Sequence, residues 1–268
     1  SMLFRTPTDM YRESGNAIVI TIAVVAALLI GLFILAQLGV FITERSTRET
    51  DVAATETPPE QSTPPLETLS RATVPFGPVS VSPIAHATMV LDWGGVVMYT
   101  DPRGGADVFA EFPAPDVILM SDNDPDHLDI DTIAAVATPQ TIIVAPAVVT
   151  DALPADLVGQ TETLANGATT SIGQFDLTAV PMYNLPEQGV EVRHPKGRGN
   201  GYVIDDGSYR VYLAGDTANT PEFQSQTDID LAFVPMNLPY TMGVAEAAEG
   251  VAIFGPDIVV PYHFRQPD

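Results

Sequence analysis

The sequence predicts a mixed α/β domain behind a single membrane-spanning helix. Two observations predict it. The run from Ser14 to Thr43 contains no charged residue, and the chain beyond Ala72 alternates short apolar runs with turn residues. Early hairpins with helices interspersed among later strands indicate an α/β arrangement.

Composition bounds the function. The chain has 268 residues, 46% of them hydrophobic, which suffices for one large domain or two small ones. It has no Cys, so disulfides and thiolate metal ligands are excluded. A formal charge of -23 argues against nucleic acid or an anionic membrane surface as an electrostatic partner.

Residues 1–13 form a short polar segment. Residues 14–43 are apolar on every face and long enough to cross a hydrocarbon layer of ~30 Å as a helix. Arg5 and Arg12 precede this run and Arg45 and Arg48 follow it, so the positive-inside rule gives a tie. A single N-terminal anchor ahead of the whole domain suggests a single-pass protein with its soluble domain exported. Residues 44–71, with Thr57-Pro58-Pro59 and Thr63-Pro64-Pro65, read as an extended Pro/Thr-rich linker.

Residues 72–268 form the remaining domain. Met89 to Trp93 and Val96 to Tyr99 flank Gly94-Gly95 as a hairpin, and Val117 to Met120 reads as a buried strand. Ile130 to Ala137 suits a helix before the strand Thr141 to Ala145. Ser171-Ile172 and Phe175 to Val180 read as strands, and Tyr202 to Asp205 pairs with Arg210 to Ala214 around Asp206-Gly207. Leu231 to Pro235 is a strand, Val244 to Phe254 a helix and Ile258 to Pro261 a last strand.

The chemistry concentrates after Met120. Asp122, Asp124, Asp126 and His127 follow the strand directly. Three carboxylates left unpaired in a core would repel one another, so a metal ion, a basic side chain or water belongs among them. An exposed acidic turn capping the next helix is the plainer alternative. The chain has four histidines, His86, His127, His194 and His263, each beside a strand end or in a Gly/Pro-rich loop. Asp216 also follows a strand. Strand ends are where α/β enzymes place their chemistry.

Several segments together carry a family resemblance: Tyr99-Thr100-Asp101-Pro102, the acidic loop, Val180 to Asn184, and His194 to Gly201. Ala214-Gly215-Asp216-Thr217, Met236 to Met242 and Pro261-Tyr262-His263 complete the set. In this order they resemble the metallo-β-lactamase-fold hydrolases, nearest the branch with lactonase-like and phospholipase D-like members. The resemblance spans about Val79 to Phe264 and implies an αββα sandwich. It also implies metal ligands at Asp122, Asp124, Asp126, His127, Asp216 and His263, with Asp126 orienting the attacking hydroxide. Substrate contacts are implied for Asn184, His194, Lys196, Arg198 and Tyr240.

The family's metal motif is His-x-His-x-Asp-His. Here Asp122 and Asp124 stand at its two first histidines, while Asp126 and His127 match. A further histidine is expected near Tyr183-Asn184, where none occurs; His194 lies in a different loop. Carboxylates in place of imidazoles shift preference from Zn toward harder ions such as Mn or Mg. The alternative is that no metal binds and Lys196 or Arg198 neutralises the loop.

Two functions follow. One is a membrane-anchored, metal-dependent hydrolase of a small anionic ester, lactone or phosphodiester. The other is a catalytically inactive accessory subunit of a larger membrane complex, for example respiratory or photosynthetic.

Overall fold

The computed structural model describes residues 73–186 and 192–264. The expected N-terminal segment, membrane-spanning run and linker (1–71) lie outside the described residues. Among the described residues no helix is long and apolar enough to cross a membrane.

Thirteen strands form two sheets among these residues. The first sheet holds β1 (Val74–Phe76), β2 (Val79–Ala85), β3 (Thr88–Trp93), β4 (Val96–Thr100), β5 (Val117–Leu119), β6 (Ile142–Ala145) and β7 (Thr161–Thr163), paired in that order. The second holds β8 (Thr169–Ile172), β9 (Phe175–Met182), β10 (Gly199–Asp205), β11 (Arg210–Leu213), β12 (Leu231–Pro235) and β13 (Ile258–Tyr262). Strands β4 to β7 run parallel, as do β11 to β13. Hairpin connections make the rest antiparallel.

Three apolar layers define the sandwich. Val79, Leu91, Trp93 and Leu119 of the first sheet meet Phe175, Tyr202, Leu213 and Phe233 of the second. On its outer face the first sheet packs Tyr99, Ile118 and Ile143 beneath Ile133 of α1 (Ile130–Val136), Val149 of α2 (Ala147–Thr150) and Leu157 of α3 (Ala155–Val158). Tyr212, Ala232 and Val234 of the second sheet pack beneath Phe223 of α4 (Pro221–Gln224) and Ala247 and Phe254 of α5 (Val244–Phe254). This is the expected αββα layering. A parallel strand buried on both faces must be apolar at nearly every position, which is why β5 and β12 were visible as continuous apolar runs.

The predicted hairpins, α1 and α5 agree with the structure. Strands β1, β2 and β7 and the four-residue helices α2 to α4 escaped the reading. They are short or polar-faced, and periodicity is weak over so few residues.

Candidate metal centre

The two sheets are locked together at the C-terminal ends of β4 and β5. Tyr202 on β10 donates its hydroxyl to the carbonyl of Met120 at 2.7 Å, and the Asn200 amide donates to the Ser121 carbonyl at 2.9 Å. That edge presents the loops after β4, β5, β9, β11 and β13, which carry Asp101, the acidic loop, Asn184, Asp216 and His263.

The acidic loop is not a helix cap. Asp129 caps α1, accepting from the Thr132 amide at 3.0 Å and its hydroxyl at 2.7 Å. This leaves Asp122, Asp124 and Asp126 for other partners.

His127 is fully buried, and its Nδ1 lies 2.9 Å from Oδ2 of Asp101. Asp101 is fixed in turn by the Ser121 amide at 2.7 Å and the Ser121 hydroxyl at 2.6 Å. The Nδ1 proton therefore belongs on the Asp101 side, and Nε2 faces inward. It meets Nε2 of His263 at 3.1 Å and Oδ2 of Asp216 at 3.3 Å. Nε2 of His263 also lies 3.3 Å from Oδ1 of Asp216 and 3.4 Å from Oδ2 of Asp126. The amide of Asn237 lies 3.2 Å from Nδ1 of His263, and its buried Oδ1 is unpartnered.

The electrostatics match this geometry. Burial opposes charge on His127, but the Asp216 and Asp101 carboxylates outweigh it and hold its pKa well above the ordinary value. Burial likewise opposes ionisation of Asp216, and His127, His263 and His194 reverse it, so its pKa is lowered. The contact with His263 lowers the pKa of Asp126. Burial raises that of Asp122.

Sequence reading puts His194 in a different loop, but His194 and Asn184 both belong to the connection between β9 and β10, where the Asn184 amide donates to the His194 carbonyl at 2.9 Å. Asn184 Oδ1 accepts from the His194 amide at 3.1 Å and stands 2.9 Å from its Nδ1, while Nδ2 of Asn184 donates to the Tyr240 carbonyl at 2.9 Å. Nε2 of His194 then points to Oδ2 of Asp124 at 3.2 Å and Oδ2 of Asp216 at 3.6 Å. So His194 sits in the donor cluster while also lining the cavity, and Asn184, which does not line it, orients the ring.

Of the two basic residues expected at the acidic loop or the substrate, Arg198 meets the loop and also lines the cavity above it. Arg198 pairs through Nε with Asp122 at 2.8 Å and through Nη2 with Asp124, so these carboxylates face a guanidinium. Lys196 pairs with Glu222 and lies over the Tyr183 ring, 4.8 Å from its centroid. The turn at Lys196-Gly197 directs it there, and it is not among the residues lining the cavity above the centre.

That cavity has a volume of about 950 Å³. Arg103, Arg193 and Tyr240 line it together with His86, Asp126 and His194. The Arg193 guanidinium lies 4.5 Å from the Tyr240 ring centroid, and Nε of Arg103 is buried without a hydrogen bond. Sequence reading missed Asp101, Asn237, Arg103 and Arg193 as site residues. His86, Asp101 and His263 have positive φ values of 52°, 39° and 47°. Such backbone strain gathers at functional sites.

Two stacked sheets with imidazoles and carboxylates converging at one strand edge define the class of αββα metallohydrolase-type sandwiches. The sequence profile described as beta-lactamase superfamily domain matches residues 80–263. A UPF0173 metal-dependent hydrolase of Pyrococcus furiosus is 25% identical over 196 residues, covering 70% of this chain and 85% of its own. A crystal structure from Parabacteroides distasonis, of a protein to which metal-dependent hydrolysis is ascribed, is 36% identical with a TM-score of 0.63, covering 71% of this chain and 84% of its own. Igni18, a metallo hydrolase of Ignicoccus hospitalis, shares the fold with a TM-score of 0.57 at 18% identity, covering 70% and 83%. The chain belongs to the metallo-β-lactamase superfamily.

Proposed function

We propose that this chain is a metal-dependent hydrolase of a small anionic ester, lactone or phosphodiester, its ion held by His127, Asp216, His263 and Asp126. The spacing around Nε2 of His263 carries the reading: His127, Asp216 and Asp126 place donor atoms at 3.1, 3.3 and 3.4 Å from it. Atoms bound about 2.0–2.2 Å from one ion stand roughly 3.0–3.5 Å apart in tetrahedral or octahedral geometry. Oδ1 of Asp216 is also buried without a hydrogen bond, as a ligand oxygen awaiting a cation would be. Two imidazoles and two carboxylates suit Zn or Mn better than Mg, which prefers oxygen alone.

A bound ion supplies Lewis acidity and a water that loses its proton near neutral pH. The chain supplies the rest. Asp126, half-exposed at the cavity wall, stays ionised and accepts a hydrogen bond from the attacking water, turning its lone pair to the substrate. Arg103 and Arg193 hold the substrate's anionic group at the cavity wall. Asp101 and Asn237 keep the two imidazoles in register. The uncharged run 14–43 supports a tether that keeps this activity at a membrane, with the domain exported.

The test is to strip the full-length protein with chelator, reload it with Zn or Mn, and assay p-nitrophenyl acetate, a γ-lactone and bis(p-nitrophenyl) phosphate. Activity toward one class should follow the metal and vanish in His263→Ala. Folded protein that stays metal-free in Zn, Mn, Mg and Ca would leave the accessory-subunit reading instead.

A further inference from the structure

Among the described residues, three groups of side chains are compact enough to hold an ion: His127, Asp216 and His263; His86, Asp126 and His263; and Asp122, Asp124 and His194. The first two share His263 and form one centre. The third already contains a cation belonging to the chain. Nε of Arg198 donates to Oδ1 of Asp122 at 2.8 Å, and Nη2 pairs with Oδ1 of Asp124. Nη1 donates to the Arg193 carbonyl at 2.9 Å, so the guanidinium plane is held from three sides.

This is a built contact. Asp122 is fully buried, and the Arg198 side chain is 22% exposed. A guanidinium is planar, presents several N–H groups in a fixed fork, and stays protonated at any pH the fold survives. Carboxylates at 122 and 124 are the groups such a fork grips, whereas imidazole nitrogens in their place would offer it little. A divalent ion entering among the same oxygens would have to displace a fixed positive charge.

We infer that Arg198 stands in place of a metal ion at Asp122, Asp124 and His194, so that the protein holds a single divalent ion, at His127, Asp216, His263 and Asp126. The inference rests on the reading of the His127, Asp216 and His263 group as the metal centre. Its consequences differ from those of a second ion. Arg198 has no open coordination position, so it does not polarise a water; it neutralises the acidic loop and straps the 193–198 segment over it. An electrophile for the substrate must then come from the single ion and the cavity arginines.

The test counts ions. Full-length chelator-treated protein is dialysed against Mn²⁺ or Zn²⁺ and its metal content measured per chain, with the EPR spectrum of bound Mn²⁺ separating isolated ions from neighbouring pairs. Wild type should bind one ion, with the spectrum of an isolated Mn²⁺. Arg198→Met keeps the stem and removes the charge; it should bind two, the second at least tenfold tighter than any second ion in wild type. His263→Ala should take wild type from one ion to none, while Arg198→Met with His263→Ala should retain one. Two ions per chain in wild type would overturn the inference and leave the metal-centre reading standing, whereas none would overturn both. A folded Arg198→Met that still binds one ion also overturns it. If Arg198→Met does not fold, Arg198→Gln carries the same expectation, and the wild-type count decides by itself.

Discussion

Oδ2 of Asp101 stands 2.9 Å from Nδ1 of His127, on the far side of the imidazole from Asp216. Both Asp101 oxygens already receive donors, Oδ1 from the Ser121 amide and Oδ2 from the Ser121 hydroxyl. Asp101→Asn would set an amide N–H₂ against one of these donors and loosen the ring. Metal affinity, read by competition with a chromophoric chelator, should fall about 10- to 100-fold, the usual cost of losing such a supporting partner. Unchanged affinity would mean that Asp101 does not position His127.

The cavity arginines should act on substrate binding. Arg103→Gln and Arg193→Gln keep polarity and remove charge. With the substrate class that proves active, each should raise KM severalfold and leave kcat within about twofold, the pattern of lost uniform binding. A fall in kcat at unchanged KM would place these residues in the chemical step instead.

At the opposite end of the sandwich, Asp206 joins the two sheets. Its carboxylate accepts from Trp93 Nε1 at 3.0 Å, from the Ser208 amide and hydroxyl at 2.8 Å each, and from the Tyr209 amide at 2.8 Å. Burial opposes its ionisation, but these hydrogen bonds outweigh that and lower its pKa below the ordinary 3.8. A lowered folded pKa contributes stability above the unfolded value, lost as pH falls through the folded one. Asp206 is partly exposed and water screens these contacts, so Asp206→Asn should cost about 0.5 kcal/mol at pH 7. The gap between the two proteins, read from urea midpoints, should close below pH 4.

Gly201 should tolerate no side chain. A Cβ there would lie 2.7 Å from the Ala214 carbonyl oxygen and 2.8 Å from that of Leu213. These are backbone atoms at the end of the partner strand β11 and cannot rotate away. Gly201→Ala should destabilise the domain by roughly 1–3 kcal/mol, measured by chemical unfolding. A neutral result would show that β10 and β11 separate more easily than their pairing suggests.

Much of this was legible along the chain. The apolar runs of β5 and β12 and the Gly94-Gly95 hairpin declare themselves because burial on both faces, or a tight turn, restricts residue type at every position. The acidic loop, Asp216 and His263 declared themselves because strand ends in α/β folds collect polar residues. Their partners did not, apart from Arg198, which was one of two candidates for neutralising the loop. Asp101 is 26 positions from His127, and Arg198 is 76 and 74 from Asp122 and Asp124.

The sequence by itself determined the layered α/β class and the kinds of donor the centre has, because both follow from residue type and local spacing. Only the tertiary structure decided which donors meet. His194 reaches Asn184 because the pairing of β9 with β10 brings together the two ends of the connection that carries both. Arg198, and not Lys196, meets the acidic loop because the segment before β10 turns the lysine to Glu222 and lays the guanidinium beside Asp122 and Asp124. A charge two residues away along the chain can face the opposite side of a loop, and local sequence has no means of recording which side that is.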